Sequence, residues 1–233
     1  LPEFINKMME NKWLGSKTNQ GFYKKEGKEI LSLDLDTLEY KANKKASFAT
    51  LELTKTIEKP IDRFKVLVTG KDKAGEFYRK NFASMFQYCS NRIPEITDAF
   101  YKIDDAMKAG FGWENGPFEI WDAIGVEKGI ELMKAEGYQP ASWVTDMLAT
   151  GNTSFYSIKD GATHFYSISN KKVEKIPGQD AFIILNNIRE SKKIWNNSDS
   201  IITDLGDGII NLEFTSKMNS IGAGVLQGIN KAI

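Results

Sequence analysis

Apolar residues along this chain recur at helical spacing in some stretches and alternate with polar ones in others, and the two periods divide it into elements. Phe4, Ile5, Met8 and Met9 follow Pro2 at the spacing of a short amphipathic helix, with proline where a first turn tolerates it. Glu29 to Leu38 alternates over much of its length, which predicts an extended segment lying on a core. Pro60 opens a new helical pattern, and Asp72 to Cys89 reads as a strong helix with Phe77, Phe82, Met85, Phe86 and Cys89 along one face. That stripe is core packing and carries no chemistry. Phe155 to Ile158 and Thr163 to Ile168 read as two strands around a turn holding Gly161. Ser200 to Phe214 reads as strand, Asp207-Gly208 turn and strand, and Gly222 to Ile233 as an apolar-periodic helix.

One pattern occurs twice. Pro140 precedes Trp143, Val144, Met147 and Leu148, and Phe155-Tyr156 follows; Pro2 precedes Phe4, Ile5, Met8 and Met9, and Phe22-Tyr23 follows. Phe4 to Met8 and Trp143 to Met147 take the same i, i+4 step. A tandem repeat of one helical unit accounts for this, its first copy lacking everything before the last helix. Chance likeness of two proline-initiated helices is the alternative, since the loops after them differ in length.

Composition narrows what such a chain can do. With 41% hydrophobic residues over 233 positions it can build one large domain or two small ones. Lys plus Arg and Asp plus Glu stand at 31 each, so no net field draws in nucleic acid or an acidic membrane. Cys89 is the lone cysteine, which rules out an internal disulfide and suits a reducing cytosol; it reads as a small buried residue. No apolar run reaches membrane-spanning length and no signal peptide opens the chain, so the expectation is a soluble, cytoplasmic protein. Lys41 to Lys45 reads as a solvated linker.

Candidate chemistry is sparse. Asp34 and Asp36 open like a calcium loop, yet no glycine or distal glutamate follows at the required offsets. His164, the single histidine, reads as a hairpin surface residue. Gly110, Gly112 and Gly116 miss the dinucleotide-binding spacing and follow a helix instead of a strand. Gly15-Ser16-Lys17-Thr18 has the Lys-Thr pair of a phosphate loop but no upstream glycine. The expectation is that the chain does not bind NAD by itself.

The most specific stretch is Ile103-Asp104-Asp105-Ala106-Met107-Lys108, then Gly110 to Gly125 with Gly116-Pro117-Phe118 and Asp122-Ala123-Ile124-Gly125 inside it. It resembles the C-terminal helical domain of NAD-dependent 3-hydroxyacyl-CoA dehydrogenases, whose pattern runs I-D-x-A-M, a glycine-rich turn, G-P-F and a helix ending D-x-x-G. Leu14 to Tyr23 is similar to the L-G-x-K-x-G-x-G-F-Y closing signature of the same domain. Asn19 stands there for the middle glycine, a change compatible with a left-handed residue. Residues 200–221 resemble the opening of an enoyl-CoA hydratase (crotonase) domain, with Thr215-Ser216 where that family usually has Arg-Pro. A generic hairpin followed by a helix is the alternative for that last stretch.

The resemblance implies a mainly α fold: a 6-phosphogluconate-dehydrogenase C-terminal-like helical unit, a β-hairpin linker, and the β-β-α start of a crotonase domain. It implies residues 1–25 as the end of a first unit, 26–59 as extended linker, 60–158 as a second unit, 159–195 as β-rich linker, and 196–233 as the start of the hydratase. The parent would be a fused polypeptide that hydrates enoyl-CoA and oxidises 3-hydroxyacyl-CoA with NAD. NAD would be held by a domain absent here, CoA thioester would be the substrate, and a homo-oligomer would form without nucleic acid or membrane. No catalytic residue or metal site is implied in this chain. Ser216, Lys217 and Met218 match the positions that touch CoA, where a cation suits the phosphates. Trp113, Phe118 and Trp121 are the expected anchors of the helical unit, as core, with a subunit interface as the alternative. The other reading is an autonomous helical dimerisation module without chemistry.

Overall fold

The structure, a computed structural model, describes residues 1–43 and 46–233. The chain divides into two compact units, Leu1–Phe48 and Ala49–Ile233. Lys44 and Lys45 of the expected linker lie outside the described residues.

The first unit holds helix α1 (Glu3–Glu10) and strands β1 (Tyr23–Glu26), β2 (Glu29–Leu33) and β3 (Tyr40–Ala42), which form an antiparallel sheet in chain order. Between α1 and β1 the chain turns at Asn19, whose φ of 61° is left-handed, so the asparagine does take the conformation required of the missing glycine. The Tyr40 hydroxyl donates to the Gly21 carbonyl at 2.6 Å, and its ring lies 5.6 Å from that of Trp13. Lys41 sits in β3 and pairs with Asp34 at 2.7 Å, so the lysine run is not wholly a solvated linker. Asp34 also accepts from the Asp36 and Thr37 amides, which closes a local turn.

The second unit opens with α2 (Ala49–Thr54), α3 (Pro60–Thr69), α4 (Lys73–Asn91), α5 (Tyr101–Phe111), α6 (Pro117–Ile124), α7 (Val126–Ala135) and α8 (Ser142–Ala149). A second antiparallel sheet follows, β4 (Tyr156–Lys159), β5 (Ala162–Ser167) and β6 (Lys172–Lys175), and then the one-turn helix α9 (Leu185–Ile188). A third sheet, β7 (Lys193–Asn196), β8 (Ser200–Gly206) and β9 (Ile209–Phe214), leads to α10 (Ala223–Ala232). The architecture is mainly helical, with three small sheets. Asp160-Gly161 and Asp207-Gly208 each supply two residues of positive φ to a two-residue hairpin loop, as the sequence predicts.

The repeated pattern has a structural counterpart longer than the sequence suggests. α1 and α8 are both eight residues long, and in each case the following Phe-Tyr leads into a three-stranded antiparallel meander with a two-residue first loop. The surroundings differ. Phe155 is buried and packs 5.0 Å from Trp121, whereas Phe22 is 47% exposed and meets Phe4 edge-on at 6.4 Å.

An aromatic core fills the second unit. Phe86 stacks on Trp121 at 4.7 Å, and Phe100 gathers Phe118, Trp143, Phe155 and Phe165 within 5.8 Å. Both buried indoles are satisfied: Trp121 donates to the Val126 carbonyl and Trp143 to that of Ser90, each at 3.0 Å. Phe118 and Trp121 are the core anchors expected of them, but Trp113 is 39% exposed. The left-handed turn at Gly112 (φ 67°) ends α5 and carries Trp113 off the helical stripe. Phe77 likewise departs from its expected face: it is 59% exposed, while Phe82 and Phe86 are buried. Five residues separate Phe77 from Phe82, and that step swings a helical side chain far around the axis.

Gly116 is required by a close approach. A Cβ built on it would stand 2.3 Å from the Asp104 Cβ and 2.4 Å from its Cα. We expect Gly116→Val to cost about 3 kcal/mol or more, enough to abolish the cooperative melt of the unit. Gly110→Ala faces open space within α5, so it should leave the melt intact or raise it. Thermal denaturation of both variants checks the assignment, and an unchanged transition for Gly116→Val would show that the turn is dispensable.

Candidate functional site

α6 begins at Gly116, which has no side chain to cap the helix, and at Pro117, which has no amide hydrogen. The two amides that need an acceptor belong to Phe118 and Glu119. Asp104, one turn into α5, supplies it: Phe118 donates to Oδ1 at 2.9 Å and Glu119 to Oδ2 at 3.0 Å. An aspartate on one helix therefore caps the next, and the glycine is absent of side chain because that carboxylate occupies the place. Glu119 reaches back to the Gly116 amide at 2.8 Å and completes the cap.

Asp122, near the end of α6, repeats the device on a different partner. Its carboxylate accepts from the amides of Phe155 at 2.7 Å and Tyr156 at 2.8 Å. The Tyr156 hydroxyl then donates to Asp104 Oδ2 at 2.8 Å, which closes a loop through α5, α6 and β4. Asp104 is fully buried and Asp122 half-buried. Burial pushes each carboxyl up to about 7 against the pull of the amide donors, with Asp104 and Glu119 nearby raising Asp122 further. Burial and the Asp104 charge drive the Tyr156 phenol well above its usual range, so it stays protonated and donates.

A cleft of about 950 Å³ opens beside this network, walled by α5 and α6 on one side and by β4, β5 and residues 176–187 on the other. Lys108 and Glu119 pair across its floor at 2.7 Å, with Asp105 3.3 Å from the same ammonium. Burial pulls the Lys108 pKa down, but the Glu119 bond and charge outweigh it and hold the pKa above its ordinary value. The lysine is thus held as a cation beside Glu119. Asp122 spends both oxygens on main-chain amides, so it is not presented to a ligand as a base. The network positions β4 on the helices.

The remaining expected residues lie apart from the cleft. Ser216, Lys217 and Met218 occupy an exposed turn before α10, where Met218 takes a positive φ of 59° and is 91% exposed. The Ser216 hydroxyl donates to the Ser220 carbonyl at 2.7 Å, and Lys217 has no ion-pair partner among the described residues. His164 lies half-buried in β5 with Nδ1 3.1 Å from the Ala162 carbonyl. Cys89 is partly buried in α4, and burial raises its thiol to about 11. Among the described residues no cluster of His, Cys, Asp or Glu is placed to hold a metal, and no helix is long and apolar enough to cross a membrane.

Sequence reading passed over Asp104, Asp122 and Tyr156 as chemistry. The only signal was the recurrence of an aspartate in the I-D-x-A-M and D-x-x-G patterns, each otherwise an ordinary polar position on a helix.

The chain is similar along its whole length to three known proteins. A Bacillus subtilis protein provisionally named 3-hydroxyacyl-CoA dehydrogenase is 39% identical over 234 residues, covering 100% of this chain and 29% of the relative. Two Rickettsia proteins, from R. felis and R. prowazekii, are provisionally named fatty acid oxidation complex trifunctional enzyme. Each is 22% identical, covering 98% of this chain and 28% of the relative. The chain thus spans less than a third of the relatives it matches. No family model and no solved structure matches it.

The buried carboxylates make stability depend on pH. An unfolded aspartate titrates near about 3.9, so the folded state binds more protons than the unfolded one between about pH 4 and pH 7. Stability should therefore fall as pH rises through that window and level off above it. Asp104→Asn should shrink the fall and, because an NH2 donor replaces one of the two oxygens that separately accept from Phe118 and Glu119, cost about 1–3 kcal/mol. Urea unfolding of wild type and variant at a series of pH values reads both effects, and parallel pH profiles would contradict them.

Proposed function

We propose that this chain is the helical C-terminal region of an NAD-dependent 3-hydroxyacyl-CoA dehydrogenase of fatty acid β-oxidation. The observation that carries the reading is the 39% identity, without loss of coverage, to the Bacillus subtilis relative. The physical meaning of the sequence motif supports it: both aspartates, Gly116 and Pro117 form one interlocked helix junction. In this reading the parent oxidises 3-hydroxyacyl-CoA to 3-oxoacyl-CoA with NAD bound by a domain outside this chain. Residues 49–233 supply a wall of the substrate cleft and contacts between subunits of a cytoplasmic homo-oligomer.

The reading extends to the C-terminal stretch. β8, β9 and α10 form the strand-strand-helix opening of an enoyl-CoA hydratase domain, and the exposed Ser216-Lys217-Met218 turn touches CoA, with Lys217 near its phosphates. The words trifunctional enzyme in the names of the Rickettsia relatives favour such a fusion.

NADH absorbance in the whole protein tests this. Addition of 3-hydroxybutyryl-CoA and NAD should produce NADH, and deletion of residues 49–233 should abolish it. Lys217→Gln should weaken enoyl-CoA binding several-fold while leaving dehydrogenase turnover unchanged. An inactive whole protein, or a deletion that keeps its kcat/KM, would overturn the reading.

A further inference from the structure

β4 is an edge strand of its sheet, and its outer edge borders the cleft beside α6. Its register with β5 fixes which main-chain groups face outward. The two-residue loop makes Lys159 and Ala162 a bonded pair, and the Tyr166 amide donates to the Phe155 carbonyl at 3.0 Å, so Phe155, Ser157 and Lys159 turn toward β5. Tyr156 and Ile158 turn their N–H and C=O the other way. At Tyr156 both groups are taken, the amide by Asp122 at 2.8 Å and the carbonyl by the Ser154 hydroxyl at 2.9 Å. Asp122 lines the cleft, so the main chain of Ile158, one strand repeat further along the same edge, points to the same side. Its N–H and C=O have no main-chain partner among the described residues, and Ile158 is 60% exposed. A free pair of strand-edge groups is a template for another strand.

The rest of the cleft suits an extended peptide. Asn115 and Asn186 line it, and a side-chain amide offers a peptide bond both a donor and an acceptor. Ile61, Ile176, Phe182 and Ile184 add apolar wall, with Phe182 60% exposed. Among the charged groups of the lining, Asp105 and Glu119 hold Lys108 between them and outnumber it, and Asp122 adds a third carboxyl. Lys159 and Asp160, exposed at the hairpin tip, offset each other. The balance of charge favours a basic segment over an acidic one.

We propose that this cleft binds an extended peptide segment of a partner protein, apolar and basic in composition, whose backbone adds to the outer edge of β4 at Ile158. The main-chain pair at Ile158 fixes the register, Phe182 and Ile184 take apolar side chains, and Asp105 and Glu119 face a basic one. The inference uses none of the reasoning on CoA or NAD, so it stands or falls apart from the proposed function.

Isothermal titration of the full chain with the blocked peptide acetyl-Val-Lys-Val-Lys-Val-amide tests it. The same peptide methylated on every backbone nitrogen should bind about tenfold or more weakly, and the version with glutamate for lysine several-fold more weakly. Ile158→Pro removes an outward N–H that the sheet does not use, a position where an edge strand tolerates proline, so it should keep the melt and lose the peptide. Should that variant melt early, the methylated peptide decides the matter on the wild type. Four results would each overturn the proposal: no binding of the lysine peptide, equal affinity for its methylated form, binding that survives Ile158→Pro, or pantetheine, a small ligand with two amides, binding as tightly as the peptide.

Discussion

A carboxylate on one helix does the capping of the next, and the arrangement of the second unit depends on that substitution. Asp104 lies inside α5, where its side chain would ordinarily reach solvent. Here it is buried against the first turn of α6 and accepts the two amides that turn leaves open. The geometry fixes the residues around it. Gly116 must lack a side chain because Asp104 fills that volume, and Pro117 suits a first position whose amide has no use. The angle between α5 and α6 follows from the cap, and so does the placement of Phe118 and Trp121 in the core.

Asp122 and Tyr156 extend the same interaction to the sheet. One aspartate ties α5 to α6, the other ties α6 to β4, and the tyrosine hydroxyl joins the two ends. Two carboxylates buried this close carry a desolvation cost that the main-chain donors offset only in part, which is why both titrate near neutrality. All their acceptors are engaged, and Lys108 is held by Glu119. The network therefore ties α5, α6 and β4 together along one wall of the cleft.

Much of this was legible in the amino-acid order, and the limits have physical causes. The Phe82-Phe86 step announces α4, and Asp160-Gly161 and Asp207-Gly208 announce their hairpins, because each signal is local. Asp104 and Asp122 are different: next to Asp105 and Glu119 they look like ordinary polar positions on helix surfaces, and only packing against α6 and β4 buries them. Trp113 and Phe77 failed in the opposite direction, since aromatic character suggests burial while a left-handed turn and an off-face helical step expose them. Lys41 looked like part of a solvated run because its partner, Asp34, meets it only through the β2–β3 pairing. The stretch from Ile103 to Gly125 forms the α5–α6 junction, and the structure shows what its aspartates and Gly116 do physically.

Amide hydrogen exchange in the native state measures the central interaction most directly. If Asp104 and Asp122 hold the junction, the amides of Phe118, Glu119, Phe155 and Tyr156 exchange only through global unfolding, as slowly as those in the middle of α4. Exchange of these four at rates typical of exposed loops, while α4 stays protected, would contradict the account.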